Sequence, residues 1–222
     1  MYFNFTERVY FKVTSMLGHW LERLVSYLPF FRFIRETRNT QTPVRFRHWF
    51  RQRVMGKNRN VYWPVHPSSL IMYPQNIYAG IETCPGYMPG CFIQGMGKIY
   101  IGDYTQIAPN VGIISANHAL HDNRAHDQKE VRIGKYCWLG MGSMIMPGVV
   151  LGDYTVVGAG SVVTKSFPEG YCVIAGNPAR VIKQIDKEKC VFHRSDFEYN
   201  GYIPSPKFDT FRKKFLNVDP FA

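Results

Sequence analysis

The sequence lacks the cysteine patterns that mark disulfide frameworks and zinc sites. It contains five cysteines, an odd number, and no two of them are separated by only two residues. Secreted disulfide domains and structural zinc sites usually rely on paired, closely spaced cysteines. We therefore expect reduced thiols that serve as small packing residues in a cytoplasmic protein.

Long apolar runs are missing as well. The best candidate, residues 13–21, ends when Glu22 and Arg23 interrupt it. A helix that crosses a bilayer needs about 20 mainly apolar residues. The chain also lacks a basic stretch followed by an apolar run and a small-residue cleavage site, so secretion is disfavoured.

Acidic residues are scarce at one end of the chain. The formal net charge of the whole sequence is +11, and residues 1–60 hold 12 Lys and Arg against three acidic residues. Residues 61–222 hold 15 against 13 and are nearly neutral. This asymmetry describes a surface and its partners, not the fold.

Residues 4–36 have the apolar spacing of a helix. Asn4 with Glu7 resembles a capping box, and Pro29 is predicted to end or kink the helix. A second basic and aromatic stretch covers residues 30–53. Two interpretations stay open: a helical layer packed on the rest of the protein or on a neighbouring subunit, or interfacial helices on an anionic membrane leaflet. Nucleic acid is disfavoured because no nucleic-acid motif accompanies the charge.

The centre of the chain repeats every six residues. An aliphatic residue recurs in register, with Gly directly after it in most of the downstream hexads. The downstream positions are Ile133, Leu139, Ile145, Leu151, Val157 and Val163, and the upstream ones are Val65, Ile71, Ile77, Ile101, Ile107 and Ile113. Such a period predicts a parallel β-helix in which three hexads form one triangular coil of about 18 residues.

The repeat divides the chain into three parts. We predict a basic helical segment over residues 1–60, a β-helix over residues 61–185 and an aromatic tail over residues 186–222, which is too irregular to assign. A polar stretch, residues 119–132, fits no face of a β-helix and is predicted to protrude as a loop, where function tends to lie. Residues 83–100 break the hexads and are expected to form a bulged coil.

Histidines cluster around the predicted loop. His118, His121 and His126 lie near Asp122 and Asp127. A metal site is disfavoured, because ligands within one loop lack the rigid placement that metal geometry needs. His118 ends a hexad and so lies at a corner of the stacked coils, where a neutral imidazole can accept a proton from an acceptor hydroxyl or amine. His121 and Asp122 are candidates for orienting His118 or contacting the acceptor.

Four motifs resemble those of the hexapeptide-repeat acyltransferases, especially sugar O-acetyltransferases of the maltose and galactoside type. They read IGDYTQIAPNVGI, SANH, VGAGSVVTK and AGNPARVIK. The resemblance covers about residues 61–185 and implies a mainly β fold, a left-handed parallel β-helix. It also implies a homotrimer, acetyl-CoA as acyl donor and an active site between subunits.

The resemblance also implies roles for individual residues. His118 would be the general base. Trp138 and Ala159 would line the channel for the pantetheine arm. The nucleotide end of CoA would meet Thr164, Lys165, Arg180 and Lys183, and the phosphates of CoA require cations of this kind.

The expected function is acetyl-CoA-dependent O-acetylation of a sugar in a surface polysaccharide or its precursor. An amino-sugar N-acetyltransferase, a serine acetyltransferase and an antibiotic acetyltransferase remain alternatives, with a non-catalytic scaffold behind them. The segment TCPGYMPGCFIQGMG and residues 1–60 depart from the family pattern, so the acceptor, a glycan or other small molecule, stays open. The basic lead-in would suit peripheral contact with the inner membrane.

Overall fold

The computed structural model describes residues 22–220, together with Gly18 and Trp20. The chain forms three sheets of short strands that repeat in the order A, B, C. Sheet A contains β1 (Leu70–Met72), β3 (Phe92–Gln94), β6 (Gly112–Ile114), β11 (Met144–Ile145) and β14 (Val162–Val163). Sheet B contains β2 (Ile77–Ala79), β4 (Ile99–Ile101), β9 (Val131–Ile133) and β12 (Val150–Leu151). Sheet C contains β5 (Gln106–Ile107), β10 (Trp138–Leu139), β13 (Thr155–Val157), β15 (Cys172–Gly176) and β16 (Ala179–Gln184).

The three sheets are the faces of a parallel β-helix, as the hexads predict. Neighbouring strands are parallel throughout, except that β16 folds back antiparallel on β15. All of the aliphatic positions of the repeat are buried and belong to one continuous apolar core. Cys137 and Cys172 also point into this core, and all five cysteines are unpaired.

The coils differ in length. Ile133 pairs with Leu151, 18 residues further on, in the regular part. Ile71 pairs with Ile93, 22 residues on, because the first coil carries the irregular segment expected within residues 83–100. Ile113 pairs with Ile145, 32 residues on. The stacking register of the core therefore survives both insertions.

The protrusion is a β-hairpin rather than an open loop, and its bounds differ from the predicted 119–132. Strand β7 (Ala116–His118) pairs antiparallel with β8 (His126–Gln128). Val131 and Arg132, predicted to protrude, belong to β9, and Val131 is fully buried. The sequence did not predict this burial, because Val131 lies between the charged residues Glu130 and Arg132.

A ladder of four tyrosines lines the corner between sheets B and C. Tyr104, Tyr136, Tyr154 and Tyr171 all have positive φ, and successive rings stack with centroids 5.1–5.5 Å apart. The hydroxyls of Tyr136 and Tyr154 donate to carbonyl groups of residues 193 and 191, so the ladder holds the start of the tail on the corner.

The tail is more regular than expected. It forms a small hairpin of β17 (Tyr199–Asn200) and β18 (Ile203–Pro204), followed by the helix α3, Ser205–Phe215. A proline in the first turn marks the start of α3, a start signal that the sequence carries and that assignment by periodicity overlooks. Phe208 packs into the β-helix core.

The described part of the N-terminal segment packs on the first coil and on the tail. Residues 22–25 are helical, a 3₁₀ turn follows at Pro29–Phe31, and then come α1 (Arg32–Glu36) and α2 (Phe46–Arg53). The first helix therefore ends at residue 25, four residues before Pro29, and no single helix continues to residue 36. The predicted capping box at Asn4 and most of the apolar stripe lie outside the described residues. Among the described helices, none is long and apolar enough to cross a bilayer.

Candidate active site

The hairpin β7–β8 leaves the β-helix at the edge between sheets A and B, and Ser115 roots it there. The Ser115 hydroxyl is buried, accepts a hydrogen bond from the backbone N–H of Gly97 (3.0 Å) and donates to the carbonyl of Gln94. The Ser115 carbonyl accepts a hydrogen bond from the backbone N–H of Lys129 (2.8 Å). The side-chain oxygen of Gln94 accepts one from the backbone N–H of Ala116. These bonds fix where the hairpin begins and ends.

His118 ends β7 and is exposed on the hairpin. Its Nδ1 is hydrogen-bonded to the carbonyl of Asn123 across the turn. A carbonyl only accepts, so Nδ1 carries the proton of the neutral imidazole and the lone pair lies on Nε2. The His126 ring packs against that of His118, with centroids 4.5 Å apart. The imidazole is therefore held in the tautomer that a general base needs.

Among the described residues, neither His121 nor Asp122 forms a hydrogen bond with the His118 ring. Asp122 is instead paired with Arg124, whose Nε and Nη2 donate to the two carboxylate oxygens at 2.9 and 3.1 Å. These bonds lower the pKa of the Asp122 carboxyl. His121 is exposed near the turn. In the described part of the chain, no three His, Cys, Asp or Glu side chains are grouped closely enough to hold a metal ion.

Trp138 and Ala159 lie on another part of the coil. Trp138 stands on the outer face of sheet C, between Gln106 and Val156 of the adjacent strands, and 57% of it is exposed. Ala159 lies exposed at the corner between sheets C and A. A Cβ on Gly160 would meet no atom within 4 Å, so glycine is needed there for its φ of +66° and not for space.

The residues predicted to meet the nucleotide end of CoA occupy two places. Thr164 and Lys165 lie on the same edge as the His118 hairpin, two coils further along, and the Lys165 ammonium sits 5.6 Å from the centroid of the Phe167 ring. Arg180 and Lys183 are exposed on β16, the edge strand of sheet C. None of these three cations forms an ion pair with a described residue.

The candidate residues thus fall on separate edges of one chain. His118, Thr164 and Lys165 share the edge between sheets A and B, whereas Trp138 and Ala159 lie on sheet C and its far corner. Sequence reasoning missed the Asn123 carbonyl, because a backbone acceptor carries no residue signature. It also missed that the His126 ring packs against the His118 ring.

Comparison with known proteins agrees with this architecture. The family model for bacterial transferase hexapeptide, six repeats, matches residues 130–165. Galactoside O-acetyltransferase of Escherichia coli is 33% identical over 153 residues, which cover 67% of this chain and 72% of that protein. Nodulation protein L of Rhizobium meliloti is 42% identical over 95 residues, 38% of this chain and 51% of its own length.

A solved structure extends the comparison to the fold. The structure of a galactoside acetyltransferase in complex with coenzyme A is 31% identical, with a TM-score of 0.52, and the match covers 63% of this chain and 70% of that one. The fold is that of the left-handed parallel β-helix proteins. The chain belongs to the family of hexapeptide-repeat acyltransferases. It spans between about half and two thirds of the length of the first curated relatives that it matches.

Proposed function

We propose that the protein is an acetyl-CoA-dependent O-acetyltransferase that acts on a sugar hydroxyl of a cell-surface polysaccharide or its precursor. The observation that carries the proposal is the state of His118, an exposed imidazole on a rooted hairpin whose Nδ1 is tied to the Asn123 carbonyl. The sequence and fold relation to a galactoside O-acetyltransferase supports a sugar as acceptor.

The residues of the chain fit the donor. CoA has phosphate groups at one end and a linear amide arm at the other, so it needs cations near an open, partly apolar surface. Lys165, Arg180 and Lys183 are exposed and free of described ion pairs, and Thr164 lies beside Lys165. Trp138 offers a large exposed ring, and Ala159 a small side chain at the neighbouring corner. When bound, acetyl-CoA supplies an acetyl group activated as a thioester.

In the mechanism that follows, His118 Nε2 accepts the proton of the acceptor hydroxyl as its oxygen forms a bond to the thioester carbonyl carbon. A backbone N–H stabilises the negative charge that develops on the carbonyl oxygen. The carbon–sulfur bond breaks, and the proton held by His118 passes to the leaving sulfur, giving a free thiol. The Asn123 carbonyl stabilises the imidazolium while it exists, and His121 and Asp122 near the turn of the same hairpin are candidates for contacting the acceptor.

The site is completed between copies of the chain in a homotrimer. His118 lies at the edge between sheets A and B and Trp138 on the outer face of sheet C, so one chain does not bring the base and the apolar donor surface together across a cleft. A second copy that presents sheet C to the hairpin of the first does so. A C₃ arrangement repeats that seam three times.

The test is thiol release from acetyl-CoA in a screen of sugar acceptors, comparing wild type with His118→Ala. Loss of a positioned base lowers kcat by about 10²–10⁴-fold, while CoA binding and the melting temperature stay the same. Gln128→Ala removes an exposed side chain from the same hairpin and is the matched control, with wild-type turnover. Equal turnover of His118→Ala and wild type would reject the assignment.

A further inference from the structure

The described part of the N-terminal segment forms an open surface cavity of about 510 Å³ that is lined by four exposed arginines. They are Arg23, Arg35, Arg38 and Arg45. None of the lining residues belongs to the hairpin of His118 or to sheet C. A volume of this size is within the usual range for small-molecule sites, which is about 300–1,000 Å³.

The cavity carries excess positive charge. Glu22 is the one acidic residue among the described residues that line it, and its Oε1 already accepts a hydrogen bond from the backbone N–H of Phe46 (2.8 Å). Among the described residues, no ion pair includes any of the four arginines. Several guanidinium groups around one cavity repel each other unless an anion lies between them.

Buried hydrogen bonds hold together the two segments that carry Arg35, Arg38 and Arg45. Thr37 is buried, and its hydroxyl donates to the carbonyl of Phe33 (2.7 Å) and accepts from the backbone N–H of Val44 (2.9 Å). This bridge joins α1, which carries Arg35, to the segment that ends at Arg45. A cluster whose backbone is fixed in this way loses less entropy on binding than one on free chains.

The lining also offers aromatic surface. The Arg35 guanidinium lies over the Tyr27 ring, 5.5 Å from its centroid, and Trp20 lies on the same cavity. Guanidinium groups form paired hydrogen bonds to phosphate oxygens. We propose that this cavity is a second binding site, for a ligand that carries phosphate or pyrophosphate, either a soluble phosphate ester or a phosphorylated lipid headgroup. The proposal does not depend on acyl transfer by His118.

The experiment compares two doubly substituted proteins of equal charge. Arg35→Gln with Arg38→Gln removes two guanidinium groups from the cavity, whereas Arg47→Gln with Arg51→Gln removes two arginines outside it that are exposed as well. Calorimetry at fixed ionic strength measures binding of inorganic pyrophosphate to the full-length chain. A second arm measures co-sedimentation with phosphatidylcholine vesicles that contain phosphatidic acid. Thermal unfolding confirms that both proteins are folded.

We expect wild type to bind in at least one arm, the cavity variant to lose about tenfold or more in affinity there, and the control to stay within about twofold. Binding of pyrophosphate indicates a soluble ligand, and binding of the vesicles alone indicates a lipid headgroup. Equal losses of affinity in the two variants would show that binding depends only on net positive charge, and would overturn the proposal. So would the absence of binding in both arms. Both doubly substituted proteins should release thiol from acetyl-CoA at the wild-type rate, because the cavity does not take part in acyl transfer by His118.

Discussion

Gln52 is the most densely bonded polar side chain between the N-terminal segment and the β-helix. It is buried, its amide nitrogen lies 2.8–3.0 Å from the carbonyl oxygens of Asn58, Val61 and Trp63, and its oxygen accepts from the Val65 backbone and the Tyr202 hydroxyl. The helix α2, the first coil and the tail therefore meet at one amide.

Substitution Gln52→Ala should lower the free energy of unfolding by about 2–4 kcal/mol, because several buried backbone groups lose their partner at once. Urea unfolding at constant protein concentration measures this. Gln128→Ala, on an exposed strand, should change it by less than about 0.5 kcal/mol. Equal effects of the two substitutions would show that the Gln52 network adds no stability.

Burial also sets the reactivity of the thiols. It raises the pKa of Cys84 and of Cys137 to about 12 and raises that of Cys91 and Cys172. The thiolate is the reactive form, so a raised pKa leaves these four nearly inert at pH 8. In the native protein, dithionitrobenzoate should react quickly with Cys190 alone, and with all five cysteines after unfolding. Rapid reaction of several thiols in the folded state would contradict the buried core.

For single residues, the sequence predicts which side chains are functional better than it predicts their hydrogen-bond partners. The SANH motif indicates His118, and its position at the end of a hexad indicates a corner. What orients the ring is the Asn123 carbonyl, which any residue at that position would supply. The sequence also does not predict the pairing of Asp122 with Arg124. The two residues lie in one turn, and composition does not determine the shape of that turn.

The tyrosine ladder is the clearest case in which an element depends on backbone geometry. Tyr154 has a φ of +54°, stacks on Tyr136 and Tyr171, and donates to the Val191 carbonyl. The left-handed conformation costs a non-glycine residue about 1 kcal/mol, which the stacked rings offset.

Removing the ring separates these two effects. Tyr154→Ala should lower the free energy of unfolding by about 2–3 kcal/mol. Tyr154→Gly should be more stable than Tyr154→Ala by about 1 kcal/mol, because glycine adopts the positive φ without strain. At Gln128 the order of the alanine and glycine variants should reverse. Chemical unfolding of the four proteins measures both orders, and a Tyr154→Ala protein more stable than Tyr154→Gly would contradict the account.

At the level of elements, the hexad period was enough to predict the core strands, because each inward position is apolar and in register. It was not enough for the hairpin and the tail. The hairpin strands are exposed and polar, so no apolar alternation marks them. The tail folds by contact with the coils, through Phe208 and the tyrosine ladder, and local pattern says little about such contacts.

For the whole molecule, the uneven charge predicts membrane behaviour that can be measured. Exposed Trp20, Leu24, Leu28 and Phe30 lie in the same basic segment as Arg23 and its neighbours. If this surface contacts an anionic leaflet, the protein should co-sediment with phosphatidylserine vesicles at low salt and be released as the ionic strength rises. Failure to sediment at low salt would remove membrane contact and favour the interpretation of a packed accessory layer.

The seam between copies is tested most directly by mixing two damaged chains. His118→Ala lacks the base, and Trp138→Ala lacks part of the donor surface, so each alone should release little thiol at a low acetyl-CoA concentration. When both chains are co-expressed in equal amounts and purified together, about a quarter of the seams combine the intact half of each. The account predicts recovery to about that fraction of wild-type activity. A mixture no more active than the mean of its two parents would contradict a site built between subunits.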